Sequence, residues 1–199
     1  MERRHAIIIE YDCRVRHTSM SDNIYFTIRY ASSCDAEVLS ALGRRTFLEA
    51  FGHLIPTAAM DEYLNEVFDL SRVAGELEDP QTLFIIAEDA GAPVGYAKLY
   101  WGSTDVSITG PNPIKLWRLY SLTDYLSKGV GAILMSKSIE LACDRGYGTL
   151  WLTVNIGNAR AIAFYQRFGF VVTGKSGFLL GGVPQQDHVM ELPLDHGGF

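Results

Sequence analysis

Along this chain the period of the hydrophobic positions changes several times, and each change marks an element. Asn23 to Tyr30 alternates as an opening strand. Ser32, with Asp35 three residues on, resembles a capping box. Leu39, Leu42, Phe47, Ala50 and Phe51 then fall at helical spacing until Gly52-His53-Leu54-Ile55-Pro56 breaks the pattern. A second helix sets Tyr63 and Leu64 four residues before Val67 and Phe68, and a short third begins at Ser71. Thr82 to Glu88 and Val94 to Trp101 read as strands joined through Asp89-Ala90-Gly91, a hairpin signal. Gly102 to Pro113 is a loop and Lys115 to Leu122 a strand. Gly129 to Arg145 is a helix ended by Gly146-Tyr147-Gly148. Thr149 to Val154 is a strand, Ala159 to Phe168 a helix and Phe170 to Thr173 a strand. Phe178 to Leu180 and His188 to Leu192 flank Gly181-Gly182 as a closing hairpin. This order predicts an α/β (α+β) fold without internal repeats. Residues 1–23 look unlike the rest of the chain and are expected to be an N-terminal extension, with 24–195 as a single domain.

Composition narrows the class. The 199 residues are 48% hydrophobic and 20% charged, as in ordinary globular proteins. No apolar run approaches the roughly 18 residues a membrane span needs. Arg3-Arg4 precedes an apolar run, Ala6 to Ile9, too short for an export signal. The expectation is a cytoplasmic protein with no membrane partner. A formal net charge of -6 argues against nucleic acid. The charge is local: Asp61, Glu62, Glu66, Asp69, Glu76, Glu78, Asp79, Glu88 and Asp89 face Arg72 alone between Leu54 and Ala90. That stretch is either solvated helix surface or a funnel for a cationic substrate. Cys13, Cys34 and Cys143 are too scattered for a disulfide framework, and the five histidines stand at no metal-ligand spacing. No metal is expected.

Two segments carry chemistry. The strand ending at Leu122 leads to Lys128-Gly129-Val130-Gly131-Ala132, which opens an amphipathic helix. Glycines there let bare N–H groups approach an anion, and the helix N-terminus adds its positive end. The segment is not a dinucleotide fingerprint, because Leu134 fills the third glycine position. It is not a P-loop, because Ser136 stands where the second glycine must be. The second segment, Asn158-Ala159-Arg160-Ala161-Ile162-Ala163-Phe164-Tyr165, starts a helix at Asn158. Ala161, Phe164, Tyr165 and Phe168 share its apolar face.

Together, strand, Lys-Gly-Val-Gly helix, strand, Asn-x-x-Ala-x-x-Phe-Tyr and Gly-Phe resemble the GNAT N-acetyltransferase superfamily, over roughly Ile24 to Leu194. The resemblance implies a central mixed, mostly antiparallel sheet flanked by helices, with splayed central strands. It implies acetyl-CoA as cosubstrate. The CoA pyrophosphate would meet backbone N–H groups of Ser127, Lys128, Gly129, Val130, Gly131 and Ala132. Pantetheine would pair with the backbone of Leu119, Tyr120 and Ser121, and Asn158 would contact CoA. Tyr165 would protonate the departing thiolate. One departure is Leu126, where the family usually carries Gln or Arg, which implies weaker cofactor binding. Thr46-Phe47-x-x-x-Phe51-Gly52 with Tyr63-Leu64, and Phe178-x-x-Gly181-x-x-x-Gln185-x-Asp187-x-x-Met190, resemble the bacterial spermidine/spermine N-acetyltransferase branch.

By that resemblance the expected activity is transfer of an acetyl group to the primary amine of a small molecule, of polyamine type, with a homodimer as the candidate assembly. Acetylation of a protein or peptide amine and non-catalytic acyl-CoA binding are the alternatives. Strand positions where many relatives carry a general-base Glu hold Trp117 and Thr153, so the sequence offers no obvious base.

Overall fold

A computed structural model describes residues 26–53, 56–180 and 183–194. The expected extension 1–23, part of the first helix break and the Gly181-Gly182 turn lie outside the described residues. The chain runs β1 (Phe26–Tyr30), a 3-10 turn at Ser33–Asp35, α1 (Ala36–Phe51), α2 (Thr57–Val67), α3 (Leu70–Glu78), β2 (Thr82–Asp89), β3 (Ala92–Tyr100) and β4 (Pro113–Ser121). After a second 3-10 turn at Thr123–Tyr125 come α4 (Val130–Asp144), β5 (Thr149–Asn155), α5 (Ala159–Arg167), β6 (Val171–Leu180) and β7 (Val183–Pro193).

Local chemistry sets the starts of these elements. The Asp35 carboxylate accepts from the Ser32 N–H at 2.7 Å and from the Ser32 hydroxyl at 3.0 Å, fixing the entry to α1. Asp69 caps α3 by accepting from the N–H groups of Ser71 and Arg72. Asn158 caps α5 through the Ala161 N–H at 3.0 Å. Each satisfies helix-start donors that otherwise have no partner.

The seven strands form one sheet in the order β1-β2-β3-β4-β5-β7-β6. Every neighbouring pair is antiparallel except β4 and β5. A parallel step needs a long crossover, and α4 supplies it. Alternation along β2 builds a core on each face. Ile85 and Ala87 join Leu134, Met135, Leu150 and Leu152 under α4, while Phe84 and Ile86 join Leu39, Leu42 and Val73 under α1 and α3. Phe47, Met60, Leu64 and Phe68 form a third cluster between α1 and α2.

The first two pieces expected after α5 are one strand. β6 runs unbroken from Val171 to Leu180, with its irregularity between Val172 and Gly174. The small and polar residues Gly174 to Gly177 are paired to β7 as part of it.

Candidate functional site

The site begins where β4 and β5 part. Only three rungs join them: Pro113 to Thr149, Ile114 to Leu150 and Lys115 to Trp151. Beyond Lys115 the strands diverge, and a slot opens inside the sheet. A bulge between Lys98 and Leu99 accompanies the divergence, so Trp117 has no partner in the β3 register. The Leu122 N–H donates to the Val94 carbonyl at 2.9 Å, so β4 turns that residue's backbone toward β3. Strand alternation turns Tyr120 the same way and directs the backbone groups of Leu119 and Ser121 into the slot. The backbone groups of Leu119 and Ser121 thus line the slot. The backbone of Tyr120 faces β3 instead, and its ring packs against Phe47 and Tyr96.

At the end of the slot the chain turns into α4 through two left-handed residues, Ser127 at φ 67° and Gly129 at φ 101°. The first hydrogen bond of α4 runs from the Ile133 N–H to the Gly129 carbonyl at 3.0 Å. The N–H groups of Val130, Gly131 and Ala132 precede it and point out of the helix start. Lys128 differs: its N–H donates to the Tyr125 carbonyl at 3.2 Å, and its ammonium lies 4.9 Å from the Tyr125 ring centre. What Lys128 brings to this end of the slot is charge. A Cβ built on Gly131 meets the Phe164 ring at 3.6 Å, so α5 packs directly beside the start of α4. Arg160 of α5 donates to the Ser127 hydroxyl at 3.3 Å. Helix dipole, N–H groups, Lys128 and Arg160 gather at the start of α4, an arrangement that suits an anion.

Asn158 commits its Oδ1 to the helix cap, which leaves its Nδ2 as the group it can offer a ligand. Two turns on, Tyr165 is half-buried and packs its ring against Phe164 and Phe170. Burial pushes its phenol up to about 12. Tyr165 lies close enough to Tyr120 to act on it electrostatically, which ties α5 to the far side of β4.

On that far side a cavity of about 200 Å³ is lined by Tyr63, Phe68, Arg72, Glu76, Trp117, Arg118 and Tyr120, with Val67 at its edge. Phe47 stacks on Tyr63 at 4.5 Å between ring centres and holds the wall. The cavity is cation-rich. Glu76 accepts from Lys98 at 2.9 Å and from Arg118 at 2.8 Å, with Arg72 at 3.9 Å. Lys98 and Arg118 are both buried, and burial together with Arg118 pushes Lys98 down to about 8. Sequence reasoning missed this cluster. Its signal was two charges, Lys98 and Arg118, in phase with buried strand positions.

The acidic stretch between 54 and 90 does not gather into a site. Asp69 caps α3, Glu76 is sequestered, Asp79 accepts from the Gln81 N–H, Glu88 pairs with Arg29 at 2.7 Å and Asp89 accepts from the Tyr125 hydroxyl. Among the described residues no group of His, Cys, Asp and Glu has metal-holding geometry, and no helix is long and apolar enough to cross a membrane.

Comparison with known proteins agrees with this arrangement. Residues 44–170 match the family described as acetyltransferase (GNAT) family. An uncharacterised N-acetyltransferase of Mycobacterium tuberculosis is 33% identical over 156 residues, which covers 78% of this chain and 96% of that protein. The streptothricin acetyltransferase of Streptomyces lavendulae is 28% identical over 121 residues, 60% of each chain. Among solved structures, the PaiA N-acetyltransferase of Thermoplasma acidophilum in complex with coenzyme A superposes with a TM-score of 0.72 at 21% identity. That match covers 85% of this chain and 99% of that one. The forked sheet, with a helix N-terminus at the end of the fork, is the acyl-CoA N-acyltransferase fold, and the chain belongs to the GNAT acetyltransferase family.

Proposed function

We propose that this protein transfers the acetyl group of acetyl-CoA to the primary amine of a small molecule, with Tyr165 as proton donor to the leaving thiolate. The observation that carries this reading is the continuity of slot and cradle: the backbone groups of Leu119 and Ser121 lead directly to the N–H groups of Val130, Gly131 and Ala132. Pyrophosphate suits the cradle, and an amide-bearing arm suits the slot edge. Cofactor contacts are thereby assigned to Leu119, Ser121, Ser127, Lys128, Gly129, Val130, Gly131, Ala132 and Asn158. Tyr120 serves the opposite side as a wall of the acceptor cavity.

The chemistry is attack of a free amine on the thioester carbonyl, then loss of CoA thiolate. A phenol held near 12 remains protonated at neutral pH. It can donate to a thiolate whose conjugate acid is near 8.5. The size of the cavity, about 200 Å³, suits a small acceptor. The similar streptothricin acetyltransferase is named for a small-molecule acceptor. The charges lining the cavity, Arg72 and Arg118 against Glu76, do not favour a polyamine over other small amines. The test is acetyl-CoA turnover, read as thiol release, over panels of amino acids, aminoglycosides, polyamines and peptides. Turnover confined to small amines supports the reading. CoA binding without turnover on any panel overturns it.

A further inference from the structure

We propose that Asp187 accepts the proton of the acceptor amine. This rests on the proposed transferase activity and supplies the base that the strand positions Trp117 and Thr153 do not.

Asp187 lies on β7 opposite Asn155 of β5, on the face of the sheet that also bears Trp151 and Thr153. That is the face of the acceptor cavity, opposite the helix α4 core that holds Leu152 and Met190. Asp187 is only 9% exposed. The Thr153 hydroxyl favours the ionised form of the carboxylate, and the Asp187 Oδ1 has no hydrogen-bond partner among the protein atoms. Buried carboxylate oxygens without partners are rare and demand a reason. Here a ligand N–H supplies one. Asp187 acts electrostatically on Tyr63, which lines the cavity, so its charge reaches the acceptor's space. Two other orphaned polar atoms share this face, the Trp151 indole Nε1 and the Tyr96 hydroxyl. The polar face is built for a hydrogen-bonding guest.

The charged and titratable groups facing Asp187 are few. Lys115 of β4 and the neighbouring His188 favour its ionised form, Tyr63 of α2 faces it, and Asp105 competes for Lys115. Burial outweighs these and raises the Asp187 carboxyl above its ordinary value, which narrows the gap to an amine.

In the proposed step an ammonium N–H proton passes to the Asp187 carboxylate, and the freed lone pair forms the C–N bond at the thioester carbonyl. The C–S bond then breaks, and the thiolate takes a proton from the Tyr165 hydroxyl. The second proton lost by nitrogen, as the amide forms, restores Tyr165 through solvent. Asp187 releases its proton when product leaves, so the net yield is amide, CoA thiol and one proton.

The experiment compares wild type with Asp187→Asn on the best amine from the panels, following kcat/KM against pH, with acetyl-CoA affinity by calorimetry. Asp187→Asn is expected to lower kcat/KM by about 10²–10⁴-fold, the usual contribution of a positioned base. The acid limb set by Asp187 should give way to one that rises toward the pKa of the amine itself, as free amine becomes abundant, while acetyl-CoA affinity holds. Thr153→Val is a second probe should Asp187→Asn fail to fold. It removes the hydroxyl that favours the ionised form of Asp187, so the acid limb should move to higher pH. An Asp187→Asn enzyme within threefold of wild type, or an unmoved limb in Thr153→Val, overturns the assignment. Absence of turnover in the wild type on every panel defeats the transferase reading itself, and is a different result.

Discussion

Lys98 and Arg118 stand directly opposite each other on β3 and β4, two like charges in one cross-strand pair. Such a pair is destabilising unless something neutralises it. Glu76 reaches over from α3 and bridges both, at 2.9 Å and 2.8 Å. The relationship fixes the floor of the acceptor cavity and anchors α3 to the sheet.

Removing that carboxylate strands two buried cations. Glu76→Gln is expected to destabilise the fold by about 3–5 kcal/mol, the usual result of breaking a buried ion pair from one side. Lys98→Met removes one of the opposed charges and should change stability far less. Urea denaturation of the two variants distinguishes them; equal losses would mean that Glu76 is not the keystone of the pair.

Gly131→Val should fold, because a Cβ there makes an ordinary contact with Phe164 at 3.6 Å. The added methyls stand where an anion must approach the helix start. Loss of a charge-assisted hydrogen bond removes about 1.5–3 kcal/mol, so the CoA dissociation constant should rise roughly ten- to a hundredfold. Calorimetry with CoA is the measurement. Unchanged affinity in a folded variant removes the cradle assignment.

Leu126 is exposed beside that cradle, where a polar side chain can reach a phosphate. Leu126→Gln is expected to tighten acetyl-CoA by roughly fivefold, the equivalent of one hydrogen bond of about 1 kcal/mol. Equal or weaker binding would mean that the residue at 126 does not face the cofactor.

Tyr165→Phe keeps the ring that packs on Phe164 and Phe170 and deletes only the hydroxyl. We expect kcat to fall by about 10²–10⁴-fold with acetyl-CoA affinity nearly intact. The pH dependence is set by the sign of the shift. The donor must be protonated, and burial pushes it up to about 12, so it produces no falling limb in kcat below roughly pH 11. Full activity in the variant would count against the assignment; a falling limb near pH 9 that Tyr165→Phe abolishes would keep the donor role and overturn only the upward shift of the phenol.

Much of the scaffold was legible because its signals are local. The Ser32–Asp35 box, the Asn158 cap and the glycines at 129 and 131 act within one turn of chain, and the structure places them where the pattern put them. The hairpin of β2 and β3 was legible for the same reason, through Asp89-Ala90-Gly91 between two apolar runs. The misses are non-local. Gly174 to Gly177 reads as a break, and only pairing with β7 makes it strand. Tyr120 was expected to offer its backbone to the slot, and the register with β3 turns that backbone away. The Lys128 N–H is engaged by Tyr125, a partner revealed only by the unpredicted 3-10 turn at Thr123–Tyr125. The acidic stretch read as either solvated surface or a funnel, and several of its carboxylates are instead taken up by caps and ion pairs with residues as distant as Arg29. Asp187 stood in a recognised motif, but nothing in the sequence says that one of its oxygens is buried without a partner.

The fork between β4 and β5 gives this sheet an edge in its interior, where a neighbouring strand would ordinarily be. An arm carrying amide groups that lies along Leu119 and Ser121 stands in for the missing rungs, so the cofactor becomes a stitch between β1–β4 and β5–β7. Three backbone rungs, the Lys115 ammonium 4.5 Å from the Trp117 ring centre and 4.4 Å from that of Trp151, and the bonds of Thr109 to Glu191 and of Thr149 to Pro111 also join those halves. Occupancy and cohesion are then thermodynamically linked. A ligand at a hundred times its dissociation constant adds about 2.7 kcal/mol to the folded state, and here that increment falls where neighbouring strands share the fewest rungs.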